Sequence, residues 1–199
     1  KHYKAFDKEQ LRVLYDGTPE NEAQQEAKDF WFFSFLCNGM NTNDLVRLKQ
    51  KNINENVLSF VRGKTEKSTG IVKEIEVELN DFCRSVIDKY GNVDRNPNSY
   101  LFPVLNGVKD SRKQLRAKET FNQRLTKNFK KYACYLGLGE NATMYWARHS
   151  LASQLKDEGI NMYEIMEALG HTDLKTTKRY LNKISDGKRK GIAVAASNF

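Results

Sequence analysis

At Ile53 the hydrophobic pattern of this chain changes period, and that change limits what it can fold into. The runs NVLSFVR and IVKEIEVEL alternate apolar and polar residues, the second through Ile71, Ile75, Val77 and Leu79. Between them lies GKTEKSTG, a polar loop bounded by glycines that carries Lys64 and Lys67. Two alternating runs joined by such a loop predict an antiparallel hairpin. On both sides the apolar period is helical. The expected architecture is therefore mainly α with a small antiparallel β-hairpin sheet (α+β), in one domain, with no internal repeat and no low-complexity linker.

The helices carry their own punctuation. Asp7 begins DKEQLRVLYD, and Gln10 three residues on completes a capping-box pattern before a short helix. Pro19 at a first helical turn predicts a long helix from about Glu20 to Asn38, with Ala23, Ala27, Phe30, Trp31, Ser34 and Leu36 along one side and Gly39 ending it. Its run FWFFSFLC is far short of the roughly 18 apolar residues of a membrane span and belongs to the core. Thr42 is expected to cap a short helix, NDLVRLK. Asn80 caps a helix through Tyr90 that Gly91 closes, and Pro97 and Pro103 bar helix from the loop DRNPNSYLFPVLNG. SRKQLRAKETFNQRLTKNFKKYACYLGLG is a long basic helix, expected to break near its start, with Phe121, Leu125, Phe129, Tyr132 and Leu136 on the buried side.

Charge then narrows the partner. The net charge is +8 and the pI about 9.3, which favours a polyanion: nucleic acid or an anionic membrane surface. On the long helix Arg112, Lys113, Arg116, Lys118, Arg124, Lys127, Lys130 and Lys131 form a solvated face of one sign that can track phosphates. Cys37, Cys83 and Cys134 are too few and too far apart for a disulfide framework or a metal site, and are expected to be reduced core thiols of a cytoplasmic protein. The first residue is Lys, not Met, so the chain is taken as part of a longer one.

Residues 145–180, YWARHSLASQLKDEGINMYEIMEALGHTDLKTTKRY, gather phosphate chemistry. Arg148 and His149 open a helix that Gly159 stops; a second helix from about Met162 to Leu169 is stopped by Gly170; His171 sits on the following turn and Tyr180 comes nine residues later. The pattern R-H-S, then L-G-H, then T-T-x-x-Y resembles the catalytic domain of tyrosine recombinases, the phage-integrase family. The wording A-R-H-S is similar to that in integrases of bacterial conjugative or mobilisable elements.

That resemblance implies a chemistry and assigns its parts. Breaking and rejoining DNA without ATP needs a nucleophile that keeps the bond energy in a covalent ester, and a phenol with a pKa near 10 leaves readily on reversal. Tyr180 matches the nucleophile. Arg148 would clamp the scissile phosphate bidentately, and His171 would contact it. Lys64, in R-G-K-T, matches the mobile general acid that protonates the leaving 5′-oxygen, with Lys67 a nearby alternative. Asp44 matches the acidic residue supporting the first arginine, and His149 is expected to pack beneath the site. No cofactor and no metal are implied.

Two boxes depart from the pattern. H-x-x-R is here Tyr145-Trp146-Ala147-Arg148, so Tyr145 stands in the histidine slot. G-L-R-x-x-E is here Gly39-Met40-Asn41-Thr42-Asn43-Asp44, so Asn41 stands where the first arginine belongs. Arg47 and Arg62 are candidates to make good the missing cation. The resemblance implies the C-terminal catalytic domain, residues 1–199, of a site-specific recombinase that forms a 3′-phosphotyrosyl link while integrating or excising a mobile element. A core-binding domain would precede it. The implied partners are double-stranded DNA attachment sites, a homotetramer on that DNA, and accessory DNA-bending proteins, in the bacterial nucleoid and not at a membrane. The alternatives are a catalytically impaired DNA-binding module on the same scaffold and a type IB topoisomerase-like relaxing enzyme.

Overall fold

The core is organised around helix α2, Glu22–Leu36, in which Phe30, Trp31, Phe32, Phe33, Ser34 and Phe35 are all buried. A helix apolar on one side only lies on a core; one buried all round lies inside it. The expected one-sided stripe is therefore corrected to a central helix. In this computed structural model, which describes residues 4–63 and 74–171, α2 packs against α1 (Lys8–Asp16), α4 (Asp81–Tyr90), α5 (Ser111–Tyr135) and α6 (Trp146–Asp157). The Trp31 ring stacks on Phe129 of α5 with centroids 5.1 Å apart and an interplanar angle of 6°. Each such buried ring removes roughly 150–250 Å² from water, worth about 4–6 kcal/mol before entropy is charged against it.

Local chemistry sets the element ends. The Asp7–Gln10 capping box is present at α1, and Asn80 caps α4 by accepting from the Cys83 amide at 2.9 Å. Helix α2 begins at Glu22, two residues later than expected, because the Asn21 side chain accepts from the Gln24 amide and fixes the start there. The short helix α3, Thr42–Leu45, is capped by Asn41 and not by Thr42. Pro103 does not exclude helix: it opens a 3₁₀ turn, Pro103–Leu105, where a missing N–H costs nothing. Helix α5 runs unbroken from its Asp110 cap.

The sheet has three strands in the order β1 (Ile53–Asn54), β2 (Val57–Val61), β3 (Glu74–Glu78), all antiparallel. Phe60 faces Ile75 and Leu58 faces Val77, so the expected alternation does set the register. The two-residue β1 is an addition to the expected hairpin. Ile71, Lys64, Lys67 and everything after His171, Tyr180 included, lie outside the described residues. Cys37 and Cys83 are buried with sulfurs 4.0 Å apart, whereas Cys134 is exposed and is no core thiol. No described helix is long and apolar enough to cross a membrane.

Candidate active site

Arg148 enters the site from the first turn of α6. That turn is anchored where the Ser150 hydroxyl accepts from the Phe6 amide at 2.9 Å, while the Phe6 ring packs on Trp31 and Trp146. Arg148 is 2% exposed. Its Nη1 donates to the Gly39 carbonyl at 3.0 Å, and Nη2 reaches the Leu169 carbonyl and His171 Nε2, the latter at 2.8 Å. A guanidinium has only donors, so Nε2 is the acceptor here and a neutral His171 carries its proton on Nδ1. His171 comes into reach because α7 (Met162–Ala168) ends at Gly170 with φ +61°, which turns the chain back toward α6. Arg148 and His171, 23 positions apart in sequence, are thus one pair in space.

Gly39 explains itself by the same contact. Its φ is +64°, and a Cβ there would lie 2.9 Å from Arg148 Cα. The glycine at the head of the G-M-N-T-N-D box is what lets the two backbones meet.

Beside this pair lies a cleft of about 550 Å³, bordered by Asn41, Asp44, Arg47, Arg62, Lys118 and Tyr145 among others. Asn41 is held within it by its own helix: Oδ1 accepts from the Asp44 amide at 3.0 Å and Nδ2 donates to Asp44 Oδ2 at 2.6 Å. Asp44 Oδ1 accepts from the Gly63 amide at 3.1 Å, which joins α3 to the end of β2. Burial pushes the Asp44 carboxyl above its ordinary value; the Gly63 amide, the Arg62 and Arg47 guanidiniums and Asn41 pull it back. Tyr145 is 41% exposed, its ring edge-on to His149 at 5.2 Å. His149 is pushed down to about 4, first by burial and then by the charges of Lys4 and Arg148, so it is neutral near pH 7.

The described residues thus bring together Asn41, Asp44, Tyr145, Arg148 and His171, with Arg47 and Arg62 adjoining; Lys64 and Tyr180 lie outside them. Lys118 is 8% exposed and borders the cleft. By charge it groups with the solvated residues, although it lies three residues before Phe121 and seven before Leu125, on the apolar stripe. The spacing carried the signal. At about 100° per residue, Arg112, Lys113, Arg116, Arg124, Lys127, Lys130 and Lys131 point away from that stripe, and all but Lys130 are exposed. Lys113, Arg116 and Arg124 border a second cleft, floored by Phe30, Tyr90 and Phe102. Arg124 also pairs with Glu26. Among the described residues no group of His, Cys, Asp or Glu could hold a metal ion.

This arrangement can hold an oxyanion: a guanidinium and an imidazole in contact, with further cations across a polar cleft. Comparison with known proteins gives the family. Residues 4–185 match the phage integrase family. The tyrosine recombinase XerD of Staphylococcus haemolyticus is 26% identical over 172 residues, 82% of this chain and 52% of that protein. XerD of Pseudomonas aeruginosa is 28% identical over 150 residues, 73% of this chain and 46% of its own length. The chain therefore spans about half the length of these relatives. Among solved structures, XerH site-specific recombinase bound to palindromic difH substrate superposes with a TM-score of 0.66 at 19% identity, covering 96% of this chain and 52% of that one. The Tn1549 transposon integrase in complex with transposon right end DNA gives 0.68 at 14% identity, covering 98% and 67%. At such identities the likeness is one of fold, and the fold is that of a tyrosine-recombinase catalytic domain. The match along nearly the whole chain places it in a family: the chain belongs to the phage integrases, the tyrosine recombinases.

Proposed function

We propose that this chain is the C-terminal catalytic domain of a site-specific DNA recombinase, preceded in the whole protein by a core-binding domain. Tyr180 Oη attacks the scissile phosphorus and gives its proton to solvent. A 3′-phosphotyrosyl bond forms and the bond to the 5′-oxygen breaks. Lys64 protonates that oxygen as it leaves, while Arg148 and His171 stabilise charge on the non-bridging oxygens. Reversal with a second strand rejoins the DNA and integrates or excises a mobile element. Four protomers on two attachment sites would carry this out in the bacterial nucleoid, with DNA-bending proteins assisting. The exposed basic face of α5 supplies phosphate contacts away from the chemistry.

The observation that carries this reading is the buried Arg148–His171 contact at 2.8 Å, nine residues before Tyr180. The test is covalent capture. The intact protein is incubated with duplexes bearing the sequence it selects from a random pool, nicked so that the cleaved fragment diffuses away. A denaturation-resistant adduct is expected, absent in Tyr180→Phe, which still binds. An adduct in that variant would reject the nucleophile. A second reading has one observation in its favour: Asn41 is spent on capping α3 and leaves its slot without a cation. A DNA-binding module without activity would bind the same duplexes with a steep salt dependence and trap none.

A further inference from the structure

We propose that Arg62 is the second phosphate-binding guanidinium of this site, doing from the end of β2 what an arginine at position 41 would do from α3. This rests on the recombinase reading above. Arg62 is 6% exposed, and its Nε has no hydrogen-bond partner among the described residues. A buried guanidinium with an idle N–H is unfavourable unless a ligand atom takes that hydrogen. The side chain borders the cleft that holds Asn41, Asp44 and Tyr145. On its other flank, its Cδ lies 3.9 Å from where a Cβ on Gly170 would be. Gly170 separates Leu169, whose carbonyl accepts from Arg148, from His171, so Arg62 connects the cleft to the Arg148–His171 pair.

Asp44 supplies the second observation. Its carboxylate takes the Gly63 amide, from the residue next to Arg62, and Arg62 is the leading charge acting on it, ahead of Arg47. The acidic residue that the family uses to steady a first arginine therefore borders the same cleft as Arg62 and is held by the backbone of the next residue. Arg47 is the weaker candidate because it is exposed, its Nη1 lying over the Gly63 backbone. A solvated guanidinium contributes less to a developing charge than a desolvated one.

The ligand class is a phosphodiester, and the test neutralises it. Arg62→Met keeps the packing of the stem and drops the charge; Arg62→Gln is the second variant. Single-turnover adduct formation by the intact protein is compared on a nicked duplex and on the same duplex with a methylphosphonate at the scissile position, which lacks one anionic oxygen. On phosphate, Arg62→Met should cleave roughly 100-fold more slowly than the parent, as for loss of one transition-state donor. On methylphosphonate the gap should shrink to about tenfold or less. Cleavage within about threefold of the parent on phosphate overturns the proposal; so does an equal defect on both substrates, which marks a structural role. No adduct from the parent on either substrate is a different failure, that of the recombinase reading itself.

Discussion

Replacing Gly39 with alanine separates two effects that the structure predicts should add. The residue sits at φ +64°, where an L side chain costs about 1 kcal/mol. Its Cβ would also lie 2.9 Å from Cα and Cγ of Arg148 and 3.0 Å from Cβ. Those contacts must open by about 0.5 Å to reach ordinary packing. Helix α6 cannot simply retreat, because Ala147, Ser150 and Ala152 are buried as well as Arg148. Overpacking of this kind costs about 1–3 kcal/mol, so the total should be about 2–4 kcal/mol. Gly137 provides the control: its φ is +73° and nothing lies within 4 Å of the added carbon, so Gly137→Ala should show the backbone cost alone. Urea unfolding at fixed protein concentration gives both values from the midpoints, provided the slopes agree. Adduct formation should fall with Gly39→Ala and hold with Gly137→Ala, since only the first displaces Arg148. If Gly39→Ala is no less stable than Gly137→Ala, the close approach to Arg148 is not what requires glycine.

Three further outcomes follow from individual contacts. His149 has its folded-state value lowered to about 4, so between about pH 6.5 and 4 the unfolded chain binds a proton that the folded chain does not. Stability should fall as pH falls through that window, by about 1–2 kcal/mol once solvent screening of a half-exposed ring is allowed for; His149→Gln should flatten the dependence of the urea midpoint on pH, and an unchanged slope would reject the assignment. Asp29 is buried and accepts from Gln25 Nε2 at 2.7 Å, the Tyr90 hydroxyl at 2.8 Å and Lys89 Nζ at 3.1 Å. Asp29→Ala should therefore cost about 2–3 kcal/mol, a fall of roughly 5–10 °C in Tm by calorimetry, with Asp29→Asn losing less because an amide oxygen can still accept from Tyr90. On the outer face of α5, changing Lys127 and Lys131 to alanine should lower the slope of log K against log salt for duplex binding by about one per lysine; an unaltered slope would show that this face stays off the DNA.

What was legible in the sequence was what short-range chemistry decides. The Asp7–Gln10 box, the Asn80 cap and the alternation that buries Ile75, Val77 and Leu79 need only neighbours a few residues apart, or one period, and each is present. The errors share a cause as well. The sequence pattern puts Pro19 and Thr42 at helix starts, but Asn21 and Asn41 hold those positions, because an Asn oxygen reaches the amide three residues on and caps more strongly than Thr. Lys118 reads by charge as solvent-facing, whereas its place on the apolar stripe buries it. The Arg148–His171 contact has no local signal at all, and only a family resemblance could join them.

Position 41 shows how the two kinds of information meet. By resemblance Asn41 is a lost catalytic arginine; by local chemistry it is a sound helix cap, and the two descriptions are linked. Arginine has no acceptor and could not take the Asp44 amide, so Asn contributes about 1 kcal/mol of capping that Arg would forgo. An arginine at 41 would also bring another guanidinium into the cleft that Asp44 and the buried Arg62 border. Two cations and one anion out of water leave a net charge that neither solvent nor backbone can offset there, and the repulsion grows as the surroundings dry. A guanidinium at 41 and one at 62 would therefore compete for the charge of Asp44, which favours Asn at 41 while Arg62 is present.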